Sequence, residues 1–296
     1  MANLKEVRTR IASTQSTQQI TKAMKMVSAT KLRKAQNAIT QMRPYADKLN
    51  GILKNLAETA KGEESLQGYF EHRTVKNVLL IAHSSDRGLC GGYNANITKE
   101  ISNLLANKYA SDAVTVEVKF IGKKAYEYFK RSDFKMDTRD MQTFLDLSAD
   151  AAFTIGDRVI ADFLEGKYDE VRVVYNKFKN AATQIVTAEK ILPVELEAFQ
   201  DSKNEASKYN SDFSFEPSKV DLLETLIPQA VKTQVYRTML DAQASEHGSR
   251  MVAMDKATEN AGELIYDLKL QYNQARQAAI TTEILEIVGG AAALGN

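Results

Sequence analysis

The stretch of this sequence with the residue types of a reactive or ligand-holding loop is Asp86-Arg87-Gly88-Leu89-Cys90-Gly91-Gly92-Tyr93-Asn94. It follows a continuous apolar run, Val78-Leu79-Leu80-Ile81-Ala82, and precedes a segment with Ile97, Ile101, Leu104 and Leu105 at helical spacing. A glycine-rich turn between a buried strand and a helix is where α/β proteins hold phosphates on free backbone amides. The spacing fits neither the dinucleotide fingerprint nor the Walker sequence, and no Lys-Ser or Lys-Thr follows the glycines. A tight turn whose glycines take backbone angles closed to other residues accounts for the same letters. Cys90 stands near a helix start, as a thiolate nucleophile would. Such a nucleophile needs a base, and the histidines are His72, His83 and His247. His83 closes the apolar run and His247 falls in a long helical region, so a small buried thiol is the simpler reading.

Other chemistry is sparse. One cysteine and three histidines at no ligand spacing predict no metal centre. Asp137, Asp140, Asp146 and Asp150 lack the calcium-loop pattern and read as solvated carboxylates. A single cysteine excludes an intrachain disulfide. Net charge is +1, which supplies no overall drive toward nucleic acid or anionic lipid, and no apolar run approaches the roughly 18 residues of a membrane span. The average hides a basic start. Residues 1–48 carry ten Lys and Arg against Glu6 and Asp47, which predicts an acidic or polar partner. Tyr45 is the only aromatic residue there, which argues against nucleic acid.

The elements that position these residues fall into three parts: 1–61, 62–207 and 208–296. The first reads as a long helix. Leu4, Val7, Ile11 and Thr14 open a 3-4-3 pattern, and Ala35, Ile39, Met42, Ala46, Leu49, Leu53 and Leu56 continue in heptads. Between them residues 13–19 are polar all round, either solvated or against other polar surfaces. The middle alternates strands and helices, predicting an α/β domain with a mainly parallel, Rossmann-like sheet and an antiparallel edge. Ser148 is the expected N-cap of a helix ending before Gly166. A short helix opens at Pro217 and Ser218, and Pro228 is expected in the first turn of a second long helix over residues 229–294. That helix carries the stripe Ala257, Ala261, Leu264, Leu268, Tyr272, Ala275 and Ala279. About 65 helical residues span on the order of 95 Å. The fold expected is an antiparallel coiled coil of the N- and C-terminal helices with the α/β domain inserted.

The last turns are unlike the rest. Ile280, Ile284, Leu285, Ile287, Val288 and residues 291–294 cover most of the circumference, and Gly289 and Gly290 weaken a free helix. A helix apolar on so many sides needs enclosure, and other chains are the economical source. Met24-Lys25-Met26 in the basic stretch suits a contact that re-forms in several geometries. These features leave open an α/β nucleotide- or effector-binding enzyme with helical arms and a self-associating coiled-coil adaptor.

Residues 20–27 (Ile-Thr-Lys-Ala-Met-Lys-Met-Val), 86–92, 249–254 (Ser-Arg-Met-Val-Ala-Met) and 275–293 closely resemble the γ subunits of F-type ATP synthases. The resemblance covers both ends and the first turn of the middle, and is weak elsewhere. It implies a non-catalytic central rotor shaft, without a cofactor, inside a ring of three α and three β subunits, coupling ion-driven rotation of a c ring to the β catalytic cycle. It implies that Met24, Lys25 and Met26 face an acidic segment of β. Arg250, Gln277, Thr281 and Glu283 are implied to be polar catch residues for α and β loops. Ile284, Ile287, Val288 and Leu294 become the tip in an apolar bearing. Phe213, Phe215 and Glu216 become a foot on the c ring, and the α/β domain a docking surface for ε. Neither nucleic acid nor direct membrane insertion is implied. The absence of the plant forms' cysteine pair excludes that kind of thiol control. The start at Met1 without a transit peptide favours a bacterial chain at the cytoplasmic face of the plasma membrane.

Overall fold

The computed structural model describes residues 4–62, 66–111, 113–195 and 218–294. The chain divides into two units, Met1–Ala29 with Arg250–Asn296, and Thr30–Ser249. Helices α1 (Leu4–Gly62) and α6 (Lys219–Leu294) contribute residues to both, and the short α2 (Gln67–Phe70) belongs to the larger.

In the larger unit five strands form one sheet: β1 (Asn77–His83), β2 (Thr115–Ile121), β3 (Lys135–Asp137), β4 (Glu170–Phe178) and β5 (Gln184–Leu192). Their order is β3-β2-β1-β4-β5. The first four run parallel, and β5 is antiparallel to β4. Alternate side chains leave opposite faces of a strand. Val78, Leu80 and Ala82 therefore join α3 (Tyr93–Asn103) and α4 (Lys123–Phe129), packing with Ile97, Ile101, Phe120 and Phe129. Leu79 and Ile81 face the other way, with α5 (Ala149–Leu164) and parts of α1 and α6. Ile155, Val159, Phe163, Leu49, Leu53, Ile227 and Val231 complete that cluster. Burial on both sides explains the continuous apolar run in β1. Ser148 caps α5 by accepting from the Ala151 amide at 3.2 Å, and Gly166 follows at φ 77°, the left-handed stop.

Three expectations are corrected here. Pro228 is not in a first turn. α6 begins at Lys219, capped by Ser218, whose hydroxyl accepts from the Asp221 amide and bonds the Asp221 carboxylate. Pro228 lies inside this helix, as Pro44 does in α1. Asp137 and Asp140 are not solvated: Asp137 is 7% exposed, and both bond the buried Lys119 ammonium, at 2.5 and 2.9 Å. Arg139 binds Asp137 and Arg158 binds Asp140. Burial opposes ionisation of Asp137, but Arg139 and Lys119 outweigh it and hold its carboxyl below the usual range. This cluster sits at β3, whose three residues gave no strand signal. The stripe on α6 holds at Ala257, Ala261, Leu268, Tyr272, Ala275 and Ala279, all buried or half-buried, but not at Leu264, which is half exposed while the adjacent Ile265 is buried.

In the smaller unit α1 and α6 run antiparallel: Lys25 meets Asp255 at 2.6 Å, while the earlier Gln18 reaches the later Thr258 carbonyl at 3.3 Å. Thr258 also donates to the Thr21 hydroxyl at 2.8 Å. The polar stretch is thus not a break in the seam. Positions 4, 7, 11, 14, 18, 21, 25 and 28 keep heptad spacing and are all buried or half-buried.

Candidate functional site

The turn after β1 is built from its own polar side chains. The Ser85 hydroxyl donates to the Arg87 carbonyl at 2.7 Å, and the Ser85 amide donates to Asn94 Oδ1 at 3.0 Å. The Asn94 amide group reaches Cys90 Sγ at 3.2 Å. Cys90 is buried in the α3 side of the core. His83 lies on the opposite face, edge-on to Phe144 and Tyr175, with Nε2 3.2 Å from the Thr238 hydroxyl. Complete burial lowers its pKa to about 3, so it is neutral. The Cys90 thiol and the His83 ring thus lie on opposite faces of the sheet and do not form a nucleophile–base pair. Of the turn's glycines Gly91 takes a left-handed φ of 58°, but the other left-handed residue is Leu89, at 63°, with its side chain in solvent. Gly122, at φ 93°, is required by contact: a Cβ there would lie 1.9 Å from the Ser84 carbonyl oxygen.

The winding of the sheet reverses beside β1, which leaves a crevice at the carboxyl ends of β1 and β4, where doubly wound domains hold ligands. Here α6 fills it. Thr238 meets His83, the Ser249 hydroxyl donates to the Cys90 carbonyl at 2.7 Å, and a Cβ on Gly248 would stand 3.2 Å from the Ala181 Cα. Ala242, Ala244 and Ser245 between them are fully buried. Elsewhere in this unit a cavity of about 130 Å³ between α1, β5 and α6 and an open groove of about 300 Å³ at Met42, Tyr45, Phe153 and Tyr236 reach at most the low end of ordinary ligand pockets.

Charge is concentrated where α6 crosses β5. Glu189 accepts from Tyr175 at 2.6 Å and Gln234 at 2.9 Å, and pairs with Arg237. Asp241, one turn on, has its pKa raised to about 6. Burial is the main cause, Glu189 adds to it, and Arg237, Lys177 and Arg43 oppose it. No sequence pattern marks this network, because its members lie on four different elements.

Of the residues expected to act, Met24 and Lys25 are half-buried and Met26 is exposed, beside the Lys25–Asp255 pair. Arg250 is 9% exposed, whereas Gln277, Thr281 and Glu283 are fully on the surface. Asp255 and Gln277 are 22 residues apart on one helix, about 33 Å, so Gln277, Thr281 and Glu283 form a patch apart from Lys25, whereas Arg250 lies five residues before Asp255 and is not brought together with them. Ile280, Ile284, Leu285, Ile287 and Val288 all project into solvent, Ile287 at 71% exposure. Phe213, Phe215, Glu216 and the Leu294 side chain lie outside the described residues.

Fold and site together define a class: two long helices flanking in sequence a doubly wound α/β domain whose ligand crevice is occupied by its own helix. The ATP synthase family matches residues 3–294. The ATP synthase gamma chain of Cytophaga hutchinsonii is 50% identical over 299 residues, covering 100% of each chain, and that of Flavobacterium johnsoniae is 52% identical over 294 residues, covering 99% of each. The central stalk and c-ring structure of the Tetrahymena thermophila mitochondrial ATP synthase contains a chain 27% identical to this one. Its TM-score is 0.57, with 80% of this chain and 99% of that one covered. The chain belongs to the ATP synthase family, among its gamma chains.

Proposed function

We propose that the chain is the central rotor shaft of an F-type ATP synthase and is not itself catalytic. Rotation of a c ring drives it, and its asymmetry carries the β subunits of a surrounding α and β ring through their cycle. The carrying observation is the far end of α6. Its Ile, Leu and Val side chains are exposed on several sides, an arrangement that a sleeve of other chains stabilises by removing apolar surface from water. Ile284, Ile287, Val288 and Leu294 form that bearing surface. Gln277, Thr281 and Glu283 are the polar catch. Arg250 belongs to the same set, with less of its side chain to offer. Met24, Lys25 and Met26 face an acidic segment of β. Phe213, Phe215 and Glu216 rest on the c ring, and ε docks on the α/β domain. The working division is 1–61, 62–207 and 208–296: first shaft helix, inserted domain, foot and second shaft helix. Among the described residues no helix is long and apolar enough to cross a membrane. The chain belongs to a membrane-associated complex, and we place it at the cytoplasmic face of a bacterial plasma membrane.

The test is reconstitution. The purified chain hydrolyses no ATP, and adding it to α and β subunits produces cooperative ATPase. Full steady cooperative activity of the α and β ring without it would overturn the reading. ATP or NAD bound by the isolated chain at micromolar affinity would favour an enzyme instead.

A further inference from the structure

We propose that the crevice at the carboxyl ends of β1 and β4 is a torque clamp, through which the α/β domain grips α6 against rotation about its own axis. This rests on the rotor reading above and names residues for a step that reading leaves unassigned: passing torque between the inserted domain and the helix.

Four contacts define the clamp, and all lie within residues 30–249. Thr238 meets His83 at the end of β1. Ser249 donates to the Cys90 carbonyl in the turn after β1. Gly248 lies against Ala181 and Phe178, in the β4–β5 hairpin and at the end of β4. Arg237 pairs with Glu189 on β5. At roughly 100° per residue, Arg237 and Gly248 share one flank of α6, and Thr238 and Ser249 share another about 100° round the axis. The sheet end, together with Glu189 in the middle of β5, thus holds the helix from two sides. A turn in one sense drives Gly248 against the hairpin, and a turn in the other strains the bonds to His83 and Cys90.

The side chains suit a stiff contact. Along α6 between these contacts the small residues Ala242, Ala244 and Ser245 are fully buried, so at those positions little side chain separates the helix from its neighbours. Close-packed contacts of this kind transmit strain rather than absorb it. A ligand-binding domain would leave the strand ends at the switch point free for a small molecule. Here the Cys90 carbonyl and the His83 ring are engaged by α6.

The test uses the assembled complex in sealed vesicles. Ser249→Ala removes the donor to Cys90, Ser249→Thr keeps it, and Gly248→Val wedges the hairpin away. Unloaded ATP hydrolysis, with the ion gradient collapsed, is expected to stay at the parent rate in all three. Ion pumping per ATP against a gradient is expected to fall in Ser249→Ala and Gly248→Val, with slip rising about fivefold for one lost part-buried hydrogen bond, and to recover in Ser249→Thr. A merely structural role would lower assembly and hydrolysis together and leave their ratio to pumping unchanged. An unchanged pumping-to-hydrolysis ratio in both Ser249→Ala and Gly248→Val overturns the clamp. If the parent chain fails to confer cooperative ATPase at all, the rotor reading falls instead, so the two failures are distinct.

Discussion

The same two helices meet differently in the two units. In residues 30–249, Leu49, Leu53 and Leu56 of α1 and Leu223, Ile227 and Val231 of α6 share one apolar cluster with the sheet. In residues 1–29 with 250–294 the seam runs through Gln18, Thr21 and Lys25 against Thr258 and Asp255. Few large apolar side chains are buried there, among them Val7, Met254, Ile265 and Leu268. Apolar contact stabilises strongly but is indifferent to register, whereas polar groups at a helix seam specify register at a cost in stability. The larger unit is therefore built to stay folded. The smaller one is built to hold an alignment, and it leaves Ile20, Met26, Val27 and the end of α6 to solvent.

Truncation of the interior should separate the units most. Phe163→Ala, at a fully buried position, is expected to cost about 4 kcal/mol in urea unfolding, and Ile265→Ala in the smaller unit about 2 kcal/mol or less. Equal costs would remove the contrast.

A smaller effect comes from Asp241, where a buried carboxyl faces Arg237, Lys177, Arg43 and Glu189. Its folded pKa, about 6, lies above the unfolded value, so the folded chain holds a proton that the unfolded chain releases. This stabilisation is fully present below about pH 4 and is lost as pH rises through 6. Asp241→Asn is expected to be about 2 kcal/mol more stable than the parent at pH 7.5 and equal to it at pH 4. Parallel pH profiles of the two proteins would show that the site titrates elsewhere.

The smallest effect is expected at the seam's ion pair. Lys25 is half-buried and Asp255 exposed, so solvent screens the pair and Lys25→Ala should change stability by no more than about 0.5 kcal/mol. A thermal unfolding shift larger than that of Ile265→Ala would mean that the polar seam carries the unit after all.

Most of the architecture was legible because it depends on periodicity. β1, β4, β5, α5 with its Ser148 cap and the two long helices follow from apolar spacing and turn chemistry. The polar stretch at 13–19 is ambiguous in the sequence because no apolar side chain marks its heptad positions. The heptad positions 14, 18, 21 and 25 were there, occupied by Thr, Gln, Thr and Lys. Leu264 and Ile265 are adjacent and both apolar, so only packing chooses between them. Pro228 looked like a helix start because local rules place proline there, yet tertiary contacts of Leu223 and Ile227 extend the helix back through it.

The glycine-rich turn shows where the sequence stops. Its letters determined a tight strand-to-helix connection, and its missing lysine spoke against a phosphate loop. That Ser249, 159 residues away, would bond Cys90, and that Lys119 would draw Asp137 and Asp140 into the interior, was decided by tertiary structure alone. Local patterns record what a residue prefers of its neighbours in the chain. A crevice, and what fills it, depends on residues that only the folded chain brings within reach.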